Sequence, residues 1–350
     1  MKKKSNNAFL PILFALFLSP VVVVAQESAI FRVVCWNTEN LFDVRHDSLK
    51  QDEDFLPSSL RRWRYGRYKK KLADVSRVIA AIGEWQAPAL VGLCEIENEN
   101  VMHDLTRYSP LKEYDYRYVM TDSPDMRGID VALLYQRDRF KLIGYQSLHI
   151  HSETKNYHPT RDILHVTGQL LNGDSLDVFV CHFPSRAGGA KETEPYRLSA
   201  ARTLRDAVDS LFAVRLHSQI IIMGDLNDYP RNKSITDILS VVAPPLHPEK
   251  DKLYHLLARK TKETNRGSHK YQGEWGLLDH LIVSGSLLVP ERGFFTDESK
   301  ANVAYLPFLL MKDDKNGGMQ PFRTYNGMKY QGGFSDHLPV YVDFMETSLW

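Results

Sequence analysis

The chain has 350 residues, 43% of them hydrophobic and 25% charged, with a formal net charge of +1. This is ordinary globular composition, which argues against a disordered chain, a solenoid or a disulfide-stapled mini-protein. So small a net charge does not by itself imply a polyanionic partner.

The N-terminus is the first segment with a clear meaning. Lys2, Lys3 and Lys4 precede an apolar run from Ala8 to Val24, and Val23, Val24 and Ala25 offer small residues for cleavage, the pattern of a signal peptide. Pro11, Pro20 and the polar turn at Gln26, Glu27 and Ser28 argue against an uncleaved anchor. The expectation is a signal peptide over residues 1–25 and a single domain over 26–350, exported to the periplasm or outside the cell. No membrane span is expected in the mature chain, because no later stretch is long and apolar enough. No Pro, Gly and Ser linker divides it, and no protein partner is predicted.

Short β-branched and aromatic runs bounded by turn residues predict strands at Ile30 to Trp36, Leu90 to Cys94, Tyr116 to Met120, Ile129 to Tyr135 and Lys141 to His149. Further strands are expected at Ile163 to Leu171, Leu176 to Cys181, Ile220 to Met223, Leu277 to Val283 and Leu338 to Phe344. Helical periodicity appears at Lys69 to Gly83, through Leu72, Val75, Val78, Ile79 and Ile82, and at Glu194 to Val214, through Leu198, Ala201, Leu204, Val208 and Leu211. Turn-like joints between consecutive strands fit two mixed sheets packed face to face with helices outside, an α/β four-layer sandwich, better than a doubly wound sheet. The irregular stretches Asp43 to Tyr68 and Phe294 to Phe334 are long enough to be expected at the rim of a site.

Residues 61–71, RRWRYGRYKKK, interleave cations with Trp63, Tyr65 and Tyr68. Such a composition suits either a phosphate-tracking surface or a solvated loop entering a helix. Cys35, Cys94 and Cys181 are too few, and odd in number, for a disulfide framework, and no CxxC or CxxxH spacing suggests zinc. Buried free thiols are expected.

Several strands end in polar residues that a core does not need. They carry Asn37 in WNTEN, Glu95 in GLCEIEN, His182 after Cys181, Asp225 and Asn227 in GDLND, and Asp336 and His337 just before the last strand. Singly, each has a bland explanation as a turn former, cap or solvated strand end. Together they compose an oxygen-rich ligand set for a hard cation, with histidines able to donate protons near neutral pH.

The ordered strings WNTEN, GLCEIEN, VCHFPSR, GDLND, LLDHLIVS and SDHLPVYVDF resemble the motif series of the endonuclease/exonuclease/phosphatase superfamily, the fold shared with deoxyribonuclease I, from about Phe31 to Phe344. TDSPDMRGIDVALLY and PFRTYNGMKYQGGFSDH are also similar to exported bacterial members. The resemblance implies a metal site of Glu95 with Asn37 and Asp336, holding Mg²⁺ or Mn²⁺. It implies that Asp225 and Asn227 position water and phosphate, that His337 is the catalytic histidine, and that Asp279 orients it. It implies a second histidine at His182, for which Asp162 is the expected acidic partner.

Arg127 and Arg323 are candidate phosphate clamps, since a guanidinium matches two phosphate oxygens, and Asp130 reads as structural. The leading expectation is a metal-dependent phosphodiesterase with nucleic acid as the first substrate. The alternatives are the same chemistry on a small phosphorylated metabolite or lipid head group, and a non-catalytic binding protein that keeps the fold.

Overall fold

The computed structural model describes residues 29–152, 158–260, 266–290 and 293–346. The expected signal peptide lies outside the described residues. No helix among the described residues is long and apolar enough to cross a membrane.

The chain opens with strand β1 (Ala29–Leu41), then α1 (Tyr65–Gly83), β2 (Leu90–Ile96), α2 (Glu99–Arg107), β3 (Arg117–Met120) and β4 (Asp130–Tyr135). Next come β5 (Lys141–Leu148), β6 (Ile163–Gln169), β7 (Ser175–His182), α3 (Glu194–Val214), β8 (Gln219–Asp225) and β9 (Leu253–His255). A hairpin of β10 (His269–Tyr271) and β11 (Glu274–Gly276) leads into β12 (Asp279–Ser284). Six short strands follow: β13 (Phe294–Phe295), β14 (Ala301–Val303), β15 (Leu310–Lys312), β16 (Met319–Pro321), β17 (Tyr325–Asn326) and β18 (Lys329–Tyr330). The last strand is β19 (Val340–Glu346).

Two mixed sheets result. One runs β13-β19-β1-β2-β4-β3, with β14 also on β19, and the other runs β5-β6-β7-β8-β12-β9. Alternation along the strands divides the apolar residues between layers. In β1, Val33 and Cys35 face the second sheet while Val34 and Trp36 face α1; in β4, Val131 and Leu133 face inward while Ala132 and Leu134 face out. The inner layer meets Val166, Val178, Ile221 and Leu281 of the second sheet, whose other face packs Phe179 and Ile222 against Leu204 and Val208 of α3. The expected four-layer sandwich is the observed fold.

The parallel pairs β1/β2 and β7/β8 each need a crossover, which α1 and α3 supply. In consequence β1, β2, β7 and β8 all finish at one edge of the sandwich. The antiparallel neighbours β12 and β19 begin at that same edge.

Several elements were not legible in the sequence, among them β9 and, within the stretch expected to be irregular, the short strands β13 to β18. Helix α2 is short and is fixed by Asn98, whose side chain accepts a hydrogen bond from Val101 N. The β10–β11 hairpin has only three residues on each side. Helix α1 begins at Tyr65 rather than Lys69, drawing in part of the cationic run.

That run is largely engaged within the chain. Arg61 stacks on Phe55 and Tyr325, and Arg67 stacks on Tyr330 at 4.1 Å and donates to Arg61 O at 2.6 Å. Lys69 donates to Tyr108 O at 3.2 Å, and Lys70 to Gly332 O at 2.8 Å. Lys71 is buried, donating to Thr324 Oγ1 at 2.6 Å and to Phe334 O. Arg62 and Arg64 remain exposed. The two long irregular stretches are thereby held against each other across α1.

Candidate active site

Each strand delivers its polar residue to the shared edge through its register. Asn37 lies opposite Cys94, His182 opposite Asp225, and Asp225 opposite Asp279. Backbone irregularity then aims the side chains. Glu95 sits at a bulge between Cys94 and Ile96 with φ of 64°, and Glu39 and Asn40 adopt φ of 54° and 52° at a second bulge. A bulge re-aims a side chain that would otherwise alternate into the sheet face. Gly224 has φ of 150°, and a Cβ there would lie 1.9 Å from Cys181 O, so only glycine lets β8 approach β7 closely enough to set Asp225 beside His182.

The centre is built around Asp225. Its Oδ2 accepts from Asn37 Nδ2 at 3.0 Å and lies 3.7 Å from both His182 Nε2 and His337 Nε2. Its Oδ1 accepts from Asn227 N at 2.9 Å, and Asn227 Nδ2 donates to Phe183 O at 3.0 Å. Those bonds fix the Asn227 amide, held with φ of 51°. His337 Nδ1 and Asp279 Oδ2 are 2.7 Å apart, both buried. His337 N donates to Ser335 Oγ, whose hydroxyl donates to Asn37 O at 2.7 Å, and His337 O accepts from Trp36 Nε1 at 2.9 Å.

Charge in this enclosure sets the protonation states. Burial opposes a charged His337, yet Asp279 and Asp225 outweigh it and raise the imidazole well above its ordinary pKa. Burial pushes Asp225 up to about 7. His182 is driven the other way, by burial and then by Arg161 and Arg127, well below the usual imidazole range, so it is neutral. Its Nε2 faces two carboxylates, Asp225 and Glu95, which favours the Nε2–H tautomer. Its Nδ1 is buried without a hydrogen-bond partner among the described residues.

Glu95 Oε2 accepts from Asn40 N at 2.8 Å, while Oε1 stands 3.9 Å from His182 Nε2, beyond hydrogen-bond range. Asp336 Oδ2 accepts from Arg323 Nη2 at 2.8 Å, and Arg323 Nε lies 3.6 Å from Glu39 Oε1. Burial works against the Asp336 charge, but His337 and Arg323 outweigh it and hold its pKa below the usual carboxylate value. Oxygen donors from Glu95, Asn37 and Asp336 suit a hard divalent cation such as Mg²⁺ or Mn²⁺. The free Oε1 of Glu95, and the upward pKa of a crowded, buried Asp225, show negative charge that this enclosure does not fully neutralise. The residues present therefore fit such an ion. His269, Asp336 and His337 also approach within 4.8 Å of one another, but Asp336 is bound to Arg323 and His337 to Asp279.

Some expected residues fall elsewhere. Asp162 does not partner His182: its Oδ2 lies 2.7 Å from His149 Nδ1, because the chain entering β6 turns it toward that exposed ring. Arg127 is half exposed, with its Nε 3.8 Å from Asp125 Oδ1, and its charge is among those that lower His182. Arg323, the other clamp candidate, is bound to Asp336, itself a candidate metal ligand. Asp130 accepts from Thr121 Oγ1 at 2.6 Å and Ser123 N at 3.0 Å, a structural role. The three cysteines are free and buried beneath these strand ends.

Other site residues gave little sequence signal. Glu39, inside WNTEN, is buried, accepts from Thr324 N at 2.6 Å, and is pushed up to about 7 by burial and the Asp336 charge. Arg161 is buried beside His182, donating to Phe183 O at 2.6 Å and pairing with Asp125 at 3.1 Å. The His269 ring lies tilted against His337, with ring centroids 4.8 Å apart. Glu39 lay in a string that already stood out, and Arg161 directly precedes Asp162.

The pattern of the endonuclease/exonuclease/phosphatase family matches residues 32–346. No curated protein sequence matches the chain at a significant level. Among solved structures, an endonuclease/exonuclease/phosphatase family protein from Bacteroides thetaiotaomicron is similar with a TM-score of 0.55 at 15% identity, over 92% of this chain and 96% of that one. A mannosyl-6-phosphatase from Bacteroides thetaiotaomicron VPI-5482 gives 0.55 at 14% identity, over 90% and 99%. TDP2 from D. rerio, complexed with a single-strand DNA product, gives 0.52 at 14% identity, over 90% and 99%. Likenesses this distant establish a shared fold. Since the family pattern spans nearly all the described chain, this protein belongs to the endonuclease/exonuclease/phosphatase family.

Proposed function

We propose that this chain is a divalent-metal-dependent phosphoesterase, with Asp225, Asn227, His182, His337 and Asp279 carrying the chemistry and Glu95, Asn37 and Asp336 holding the ion. The observation that supports it most is the buried His337–Asp279 pair, 2.7 Å apart, with the other imidazole nitrogen facing Asp225 at 3.7 Å. Water is the nucleophile in this reading. Asp225, pushed up to about 7, takes its proton, and Asn227, anchored through Phe183 O, orients it. Charged His337 and the Nε2–H of neutral His182 donate toward the phosphoryl oxygens, on which negative charge accumulates as the bond to water forms and the P–O bond to the ester group breaks, the departing alcohol oxygen taking its proton from His337. A bound Mg²⁺ or Mn²⁺ supplies Lewis-acid stabilisation of that same charge.

The family does not select the substrate, since one fold hosts many. Its structural relatives include both a mannosyl-6-phosphatase and a protein holding a DNA product. The cationic run that pointed toward nucleic acid is largely spent on carbonyls and aromatic rings of the chain itself, which removes the main reason for preferring a polymer. The test is hydrolysis by the purified chain with Mg²⁺ or Mn²⁺ of DNA, RNA, a phosphodiester and several phosphate monoesters, repeated with EDTA and with His337→Ala. His337→Ala is expected to lower kcat by roughly a hundredfold to ten-thousandfold. Equal rates in the variant and the parent protein would remove His337 from the chemistry.

A further inference from the structure

Outside the catalytic cluster, a buried carboxylate and two exposed histidines meet where β5 leaves its sheet. The antiparallel register of β5 and β6 ends with Leu148 opposite Ile163, and one step further sets His149 opposite Asp162. The Asp162 side chain is 1% exposed and that of His149 63% exposed, so the carboxylate lies beneath the imidazole, with Oδ2 2.7 Å from Nδ1. Neither Asp162 oxygen accepts any other hydrogen bond among the described residues.

Such a carboxylate needs a cation. With no neutral donor to stabilise it, its charge is compensated only when the ring it touches is positive, through a proton or through a metal ion on the other nitrogen. A carboxylate on one imidazole nitrogen is also what fixes a metal-binding histidine. It holds the proton at Nδ1 and leaves the Nε2 lone pair pointing away from the carboxylate, here toward solvent.

A second imidazole stands on the same side. Ile150 packs in the buried cluster with Ile163, Cys181 and Phe183, so alternation about it turns His149 and His151, both exposed, outward together. Burial raises the Asp162 pKa; His149 opposes that rise, exposed Asp122 adds to it and His151 opposes it, which gathers all three charges around one carboxylate. Asp122 adjoins Ser123, whose Oγ accepts from Asp162 N at 3.0 Å, and its charge further favours a cation here.

We propose that His149 and His151 bind a Zn²⁺ ion, with Asp162 as the positioning residue that holds the His149 ring. Both rings are exposed and free to rotate onto one ion, and water completes its coordination. Imidazole nitrogens favour Zn²⁺ or Co²⁺ over Mg²⁺, so this site and the oxygen-rich one around Glu95 select different metals.

The experiment titrates the full chain with Zn²⁺ in excess Mg²⁺, followed by calorimetry, and with Co²⁺, followed by visible absorption. The parent protein and Glu95→Ala should bind Zn²⁺ alike. His149→Gln and His151→Gln, both at exposed positions, should each weaken binding about tenfold or more, and Asp162→Asn by about 10–100-fold. The two histidine variants carry the test if Asp162→Asn does not fold. Absence of Zn²⁺ binding in excess Mg²⁺, or binding untouched by either histidine replacement, overturns the site. Loss of binding in Glu95→Ala instead would put the ion at the catalytic centre and also overturn it. A folded Asp162→Asn that binds as the parent does would reduce the site to an adventitious pair of surface histidines.

Discussion

At the scale of single residues, the pH response follows from two buried groups moved in the same direction. Asp225, pushed up to about 7 by burial, accepts a proton only when ionised, so kcat/KM is expected to rise with pH through the neutral range. Bound metal moves that limb lower. His337, raised by Asp279 and Asp225 against its burial, stays charged through neutrality, and activity falls only as alkaline pH removes its proton. Replacing Asp279 by Asn deletes the nearer of these charges, so the alkaline limb should move to lower pH and the rate should fall roughly a hundredfold or more. A pH–rate profile of Asp279→Asn with its alkaline limb unmoved would show that the pair does not set the His337 proton. His182 illustrates what identity alone does not reveal. It resembles a charged catalytic histidine in the sequence, yet burial and neighbouring guanidinium groups make it neutral in the fold.

Among elements, the cationic stretch is the instructive case. Its composition fits a phosphate-binding loop and a helix entry equally well, and the outcome depends on what α1 meets. Residues 294–334 bring Tyr325, Tyr330, Phe334 and several carbonyls against it, and most of the cations turn inward. Lys71 is the buried end of this clasp, brought down to about 8 by burial and therefore still charged at pH 7. Its partners include Thr324, Phe334 O and the field of Glu39. Lys71→Met removes the donor to Thr324 Oγ1 and to the buried Phe334 O, so unfolding free energy at pH 7 should drop by about 1–3 kcal/mol. Urea denaturation monitored by circular dichroism measures it, and an unchanged midpoint would show that the clasp contributes no stability. Strands were easier to read than this clasp. Alternating apolar residues carry their own period, whereas the short hairpin β10–β11 and helix α2 are held by contacts from outside their segments or by a single cap.

Across the whole molecule, the proposed ion at the carboxylate enclosure on the edge of the two sheets would link folding to metal binding. An ion that binds only the native site stabilises it by about 2.7 kcal/mol at a hundredfold excess over Kd. Mg²⁺ or Mn²⁺ should therefore raise Tm in a concentration-dependent way, EDTA should reverse the shift, and Glu95→Ala should abolish most of it. An equal shift in Glu95→Ala would place the ion elsewhere. By itself the sequence determined the layer architecture, because hydrophobic periodicity belongs to local segments. It also determined the chemical types at the strand ends, because Asn37, Glu95, Asp225, Asn227, Asp279, Asp336 and His337 stand in recognisable strings. Only the tertiary structure decided which of these groups face one another. The separation of His337 from Asp279, the turn of Asp162 toward His149, and the closure of Arg323 onto Asp336 depend on register and bulges between strands far apart in the chain, and electrostatic pairing depends on distance in space.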